Sequence, residues 1–244
     1  MKSIFVGTLF NGESEFDKHV NVINSQKKIK VVHHVISNMN EFKAHQKLWS
    51  DWQDVKCQFD LFVKIDADTV LKSENSLYEI SKLFDDPAVS GVQIKILDYF
   101  SNSLISGVNS FSPKVKFKSR ASRLMPDKVD YNHGIVLKGH ETKHLEPVAF
   151  HCLHPNQKQS FYYGYHRKLK GQNLLIQQVA LEWIKKNDSA REWALRGAYI
   201  AASLSYQRFY FKSQRAHKLI LKAERISSYD LFEYATSLVN KMKS

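Results

Sequence analysis

Three short apolar runs separated by two stretches of helical spacing fill the first 70 residues, and they restrict the fold more than any other feature of this chain. Ser3 to Leu9 is β-rich and is stopped by Asn11-Gly12, and Glu15 to Gln26 then carries Phe16, Val20 and Ile23 at helical spacing. Lys30 to Ile36 (KVVHHVI) reads as a second strand. Phe42 to Trp52 reads as a second helix through Phe42, His45, Leu48, Trp49 and Trp52, and Asp60 to Ile65 (DLFVKI) as a third strand. Strands alternating with helices imply right-handed crossovers and a mostly parallel sheet with helices on both faces. In such sheets ligands gather at the carboxyl ends of the strands, which here are Thr8 to Glu13, Ser37 to Asn40 and Asp66 to Thr69.

Further along, Leu77 to Phe84 predicts a helix and Val89 to Ile96 a strand. Ser101 to Arg123 predicts an irregular or hairpin stretch, and Gly134 to Leu137 and Val148 to His151 predict short strands. Thereafter the apolar spacing is helical, as in Leu231, Phe232, Ala235, Leu238, Val239 and Met242. Charge and proline divide the chain in the same way. Residues 155–244 hold 16 Lys and Arg against 6 Asp and Glu, which is +10 of the net +12, and all five prolines lie at or before Pro155. The organisation expected is an α/β domain over 1–170 followed by a basic, all-helical C-terminal region over 171–244.

Composition excludes several classes. With 43% hydrophobic and 25% charged residues the chain can bury a core and is neither disordered nor fibrous. Cys57 and Cys152 are too few and too far apart for a disulfide framework or a zinc knuckle, which points to a reducing, cytoplasmic setting. The opening MKSIFVGTLF has too short an apolar run for a signal peptide and reads as the first strand, and no segment reaches the roughly 20 apolar residues of a membrane span. A pI near 9.5 invites a nucleic-acid reading, but the charge is confined to the tail and no helix-turn-helix, zinc-finger or RNA-recognition signature is present. No specific nucleic-acid partner is therefore expected.

The aspartate pair Asp66 and Asp68 carries the most chemistry. In an extended chain residues two apart point the same way, so both carboxylates are able to face one ligand at the sheet end. Two hard oxygen donors suit Mg²⁺ or Mn²⁺, which in turn binds a diphosphate. The plainer alternative is a turn in which one aspartate caps the next helix.

The order strand, Asn11-Gly12-Glu13, helix ending in Ser25-Gln26, strand, helix, and apolar strand with Asp-x-Asp resembles the GT-A nucleotide-sugar glycosyltransferases, especially the family 2-like group. The resemblance spans about Ser3 to Lys170 at the level of pattern. It implies a GT-A, Rossmann-like sheet and transfer of a sugar from a nucleotide-sugar donor, a UDP-sugar first, to a glycan or lipid-linked acceptor in surface polysaccharide synthesis. By that likeness Thr8, Asn11 and Glu13 line the nucleotide pocket, Asp66 approaches ribose and sugar, and Asp68 binds Mn²⁺ or Mg²⁺. The strand VAFHCLHP would deliver a further metal ligand, His151 first and His154 in reserve. One departure stands out: Ser37 and Asn38 occupy the place after the second strand where the family often has a base-reading aspartate.

Arg167 and Lys170 offer cations for a diphosphate leaving group, since arginine matches phosphate oxygens bidentately, while a solvated helix start is the plainer account. Tyr162, Tyr163 and Tyr165 suit stacking on a sugar or base, or core packing. An inverting transferase also needs a carboxylate to take the acceptor's proton. The candidates are Asp98, Asp127, Asp130, Glu141 and Glu146, and Asp130 is chosen because it precedes the Asn132-His133-Gly134 turn. Two rival readings remain. Asp66-Ala67-Asp68-Thr69 after an apolar strand also fits the nucleophile motif of haloacid dehalogenase-type phosphatases, although the acidic pair Asp85-Asp86 follows too soon. A non-catalytic nucleotide-sugar- or nucleic-acid-binding protein is the other. Between Arg208 and Arg225 the cations Arg208, Lys212, Arg215, Lys218, Lys222 and Arg225 recur every three or four residues, a stripe that suits an anionic membrane at its inner face.

Overall fold

The computed structural model describes residues 1–118, 129–203 and 214–242. The strands are β1 (Ser3–Phe10), β2 (Lys30–Ser37), β3 (Leu61–Lys64), β4 (Thr69–Leu71), β5 (Val89–Asp98), β6 (Ser103–Phe111), β7 (Lys116–Phe117), β8 (Val129–Asp130), β9 (Ile135–Leu137) and β10 (Ala149–His151). The helices are α1 (Phe16–Asn24), α2 (Glu41–Val55), α3 (Ser76–Lys82), α4 (Gln157–Leu169), α5 (Asn173–Lys186), α6 (Ser189–Ser203), α7 (Gln214–Glu224) and α8 (Ser228–Asn240). The chain divides into two compact units, Met1–Leu97 with Leu104–Leu153, and Asp98–Ser103 with His154–Ser244.

The first unit is built on a mixed sheet in the order β2-β1-β3-β6-β5-β10-β4, with β9 added beside β5. The β1 strand pairs in parallel with both β2 and β3, so the parallel half expected from the alternating pattern lies at the start of the chain. β6 runs antiparallel to β3, and β4 antiparallel to β10. The Ser101 to Arg123 region supplies β6 and β7, and its residues 119–123 lie outside the described residues.

Alternation along β1 assigns its two faces. Phe5 and Gly7 face α2, where Phe5, Leu48, Trp49, Trp52, Phe62, Phe111 and Val115 form one aromatic-rich cluster. Phe117 stacks on Trp49 with centroids 3.8 Å apart. Gly7 is required by this packing, because a Cβ there would stand 2.7 Å from Leu48 Cδ1 and from Phe62 Cε2. Asn40 caps α2, its Oδ1 accepting from Phe42 N at 3.0 Å, which satisfies one of the helix's open amides. On the opposite face α1 buries His19 and Ile23. The adjacent histidines of β2 separate accordingly: His34 meets Asp51 of α2 at 2.8 Å, and His33 meets Thr8 of β1 at 3.0 Å.

Five helices make up the described part of the second unit outside Asp98–Ser103. α4 and α6 cross closely because each carries a glycine at the contact. A Cβ on Gly164 would stand 1.7 Å from Ala194 O, and one on Gly197 2.0 Å from Phe161 O. The segment Asp98–Ser103 joins this unit through buried hydrogen bonds. Asp98 accepts from Tyr163 Oη at 2.8 Å and from Ser101 N at 2.7 Å, and Arg191 Nε donates to Phe100 O at 2.9 Å. The helix α4 that the sequence pattern attaches to the α/β part thus packs in this unit. Arg196 Nη1 donates to Ala223 O and Ile226 O, both at 2.8 Å, and so holds the carbonyl end of α7. Lys218, Lys222 and Arg225 are exposed on or just after α7, whereas Arg208, Lys212 and the Arg215 side chain fall outside what is described. No described helix is long and apolar enough to cross a membrane.

Burial holds His19 below its ordinary pKa, and burial together with the neighbouring His19 and His34 lowers His33 to about 4. A histidine whose folded pKa is depressed contributes stability that is complete above its unfolded pKa of ~6.5 and is lost as pH falls toward the folded value. Replacing His33 by Gln keeps an N–H donor near Thr8 and removes the titrating ring. Denaturant melts of His33→Gln between pH 7 and pH 4 should therefore lose stability less steeply than wild type, by at most ~1.4 kcal/mol per pH unit. Parallel curves would show that His33 does not take up a proton on unfolding.

Candidate active site

The carboxyl ends of β1 and β3 converge on a short acidic turn. Asp66, Ala67 and Asp68 do not continue β3 as an extended strand. Thr69 N donates to Asp66 O at 2.9 Å, closing a turn that feeds β4. Because the pair sits in a turn, the two-residue alternation does not govern it, and the two carboxylates take different partners.

Asp66 is paired with Lys64, whose Nζ lies 2.6 Å from Oδ1. Desolvation among the packed strand ends works against the Asp66 charge, but the Lys64 ammonium outweighs it and holds the carboxyl well below the usual range. The Lys64 side chain is 7% exposed and that of Asp66 59%, so a buried cation is neutralised by a carboxylate open to solvent. Asp68 turns to β10 instead. Its Oδ2 lies 3.4 Å from His151 Nε2 and accepts from Cys152 Sγ at 3.4 Å. Burial opposes its charge as well, and the His151 imidazole with its hydrogen bond carries the balance downward.

Asp68, His151 and Cys152 bring one ligand atom each to within 4.8 Å of one another. The register of β4 against β10 places them there: His151 pairs with Thr69, and Cys152 N donates to Asp68 O at 2.8 Å. Cys152 adopts a left-handed backbone with φ of 54°, which costs a non-glycine residue about 1–3 kcal/mol and is found where surrounding structure imposes it. Burial pushes the Cys152 thiol strongly upward, so it stays protonated and acts as a donor to Asp68. With the thiol neutral, the donor set is one carboxylate oxygen and one imidazole nitrogen, which fits Mn²⁺ or Mg²⁺ better than a soft thiolate-seeking ion. Cys152 is a further member of this cluster, and its place beside His151 in VAFHCLH is the sequence signal for it.

The other predicted residues occupy several places. Thr8 is fully buried, its hydroxyl shared between His19 and His33 at 3.0 Å each. Asn11 is exposed after β1, and its N–H donates to Glu13 Oε2 at 2.6 Å. Glu13 is raised above its ordinary pKa, first by desolvation, and the charges of Asp68 and Asp66 add to that rise. The Asn11-Gly12-Glu13 turn therefore stands near the acidic turn. Asp130 is exposed on β8, where Oδ1 accepts from Asn132 N at 2.9 Å, and Asp127 lies outside the described residues. His154, Arg167 and Lys170 belong to the second unit. Arg167 donates to Gln172 Oε1 at 2.8 Å and lies 5.0 Å over the Tyr163 ring, and Lys170 caps the carboxyl end of α4.

A parallel β2-β1-β3 half-sheet with an acidic turn at its carboxyl edge, continued by antiparallel strands and followed by C-terminal helices, fits a GT-A-like fold. No family model matches the chain, and no curated protein matches it. Among solved structures, the mannosyltransferase PcManGT from Pyrobaculum calidifontis, determined in complex with GDP-Man and Mn²⁺, aligns at a TM-score of 0.45 and 12% identity over 98% of this chain and 86% of its own. A glycosyltransferase involved in the glycosylation of the major capsid of PBCV-1 aligns at 0.32 and 11% over 45% of this chain and 59% of that one.

Titration of the purified protein with Mn²⁺ is expected to show tighter binding to His154→Ala than to His151→Ala. Cys152→Ala should weaken the ion by about tenfold, the cost of losing a residue that orients a ligand. Wild-type affinity in His151→Ala would remove that residue from the site.

Proposed function

We propose that this chain is a divalent-metal-dependent glycosyltransferase that moves a sugar from a nucleotide-sugar donor to a glycan or lipid-linked acceptor. The observation that carries the reading is the Asp68 carboxylate set against His151 at the carboxyl end of the sheet, where open α/β sheets bind their ligands. Asp68 and His151 would hold the ion, Mn²⁺ or Mg²⁺. When bound, such an ion supplies positive charge to a diphosphate leaving group.

The chain's own groups supply the rest. Asp66, kept ionised by Lys64 and open to solvent, is suited to accept hydroxyl donors from ribose and sugar. Glu13 fixes the Asn11 turn beside it through the Asn11 N–H. The Thr8 hydroxyl is spent inside the sheet, so its part in the nucleotide pocket is to support the wall. Asp130 is proposed as the base that takes the acceptor's proton. Its exposed carboxylate is already held by one backbone amide, which limits its motion. UDP-sugars are the first donors to try, and surface polysaccharide synthesis is the setting proposed. The basic helical region, with Lys218, Lys222 and Arg225 exposed, is proposed to rest on the anionic inner face of a membrane.

Thermal melts with UDP-, GDP-, CMP- and dTDP-sugars, with and without Mn²⁺, test the first part. One donor is expected to raise Tm only when Mn²⁺ is present, equivalent to ~2.7 kcal/mol at a hundredfold excess over Kd. Asp68→Ala is expected to lose that rise and all turnover while keeping its unliganded Tm. Full activity of Asp68→Ala, or equal activity in EDTA, would overturn the metal assignment. Co-sedimentation at low salt tests the second part. Vesicles rich in anionic lipid should pull down the protein and neutral vesicles should not, and equal, negligible binding to both would remove the membrane.

A further inference from the structure

Thr69 follows Asp68 and opens β4, which stands at the end of the sheet order. The bond from Cys152 N to Asp68 O flanks the Thr69/His151 pair, which makes that pair a non-hydrogen-bonded position of the antiparallel ladder. The Thr69 carbonyl therefore points away from β10, to the side of β4 where no described strand lies. A buried carbonyl needs a donor, and Thr69 is buried. The donor comes from α1: His19 Nδ1 stands 2.6 Å from Thr69 O.

One acceptor fixes the protons of the whole chain of bonds. A carbonyl only accepts, so Nδ1 carries the His19 hydrogen and, in the neutral ring, Nε2 is bare. The Thr8 hydroxyl, 3.0 Å away, must then donate to Nε2, and its oxygen is left to accept from His33 Nε2 at 3.0 Å. His33 on β2, Thr8 on β1, His19 on α1 and Thr69 on β4 form a single directed relay. The exit of α1 continues along the same edge. Gln26 Nε2 donates to Ser73 O at 2.7 Å, Gln26 Oε1 accepts from Leu77 N at 2.8 Å, and Lys27 N donates to Glu74 O at 2.7 Å. Helix α1 with its following turn thus takes the place that a further strand would have beside β4.

We propose that His19 is a positioning residue for Asp68: by donating its Nδ1 hydrogen to the Thr69 carbonyl, in the tautomer that the Thr8 hydroxyl complements at Nε2, it locks the acidic turn at the distance where Asp68 meets His151. This rests on the metal reading of Asp68 for its consequence, though not for the tether itself. Asparagine and glutamine separate the two ring nitrogens. His19→Asn keeps an N–H near the Nδ1 position, whereas His19→Gln places its amide near Nε2 and leaves the Thr69 carbonyl without a donor.

The test measures two quantities on wild type, His19→Asn and His19→Gln: backbone amide hydrogen exchange over residues 66–72 in metal-free protein, and Mn²⁺ affinity by titration, with thermal melts alongside. In His19→Gln the exchange of that segment should accelerate and Mn²⁺ affinity should fall about tenfold, while His19→Asn stays near wild type in both. A merely structural role for the ring would lower the melting temperature of both variants and exchange them alike, and equal exchange in the two variants overturns the proposal. If exchange separates them but wild type takes up no Mn²⁺, the tether stands and the metal reading of Asp68 falls. Should neither variant fold, the ring-nitrogen NMR shifts of His19 in the wild type decide: a protonated Nδ1 with a bare Nε2 is expected, and a bare Nδ1 overturns the proposal.

Discussion

The backbone hydrogen bond from Cys152 to the carbonyl of Asp68 is the joint on which the site depends. The turn after β3 and the end of β10 are more than 80 residues apart in sequence, and this bond with its short ladder brings them into register. It places an imidazole and a thiol beside one carboxylate. It also obliges Cys152 to take the left-handed backbone that a side-chain-bearing residue ordinarily avoids. A one-residue slip of β10 would turn His151 to the other face of the sheet, since side chains alternate along a strand. The chemistry of the site is thus encoded as much in strand register as in the identity of its residues.

Much of the architecture was legible because it follows from local periodicity. The β1-α1-β2-α2-β3 order was readable from alternating and helical spacing, and the opposite facing of His33 and His34 followed from the period of two. What local pattern does not carry is pairing between distant segments. β4 is three residues long and follows directly on the aspartates, so it has no periodic signature of its own. The turn at Asp66 to Thr69 removed the premise that both carboxylates point alike. The placement of Asp98–Ser103 was invisible for the same reason, because its partners Tyr163 and Arg191 lie about 65 and 90 residues further along.

Electrostatics across the first unit has a consistent layout. Lys64, almost wholly buried, is compensated by Asp66 at the strand end, and removing one partner of such a pair leaves a charge that the interior solvates poorly. On the same edge desolvation raises Glu13 and the charges of Asp68 and Asp66 add to that rise, while the His151 imidazole offsets Asp68. Asp66 and Asp68 are both held below the ordinary carboxylate range by these partners, so the strand end keeps its carboxylates ionised.

The two thiols differ in a way that gives the molecule an internal clock. Cys57 is exposed and Cys152 is buried at the centre of the site. A thiol reagent reaches the first at once and the second only when the β4–β10 joint opens. The slow phase of alkylation therefore reports the population in which Cys152 is uncovered, read through a thiol that belongs to the native chain.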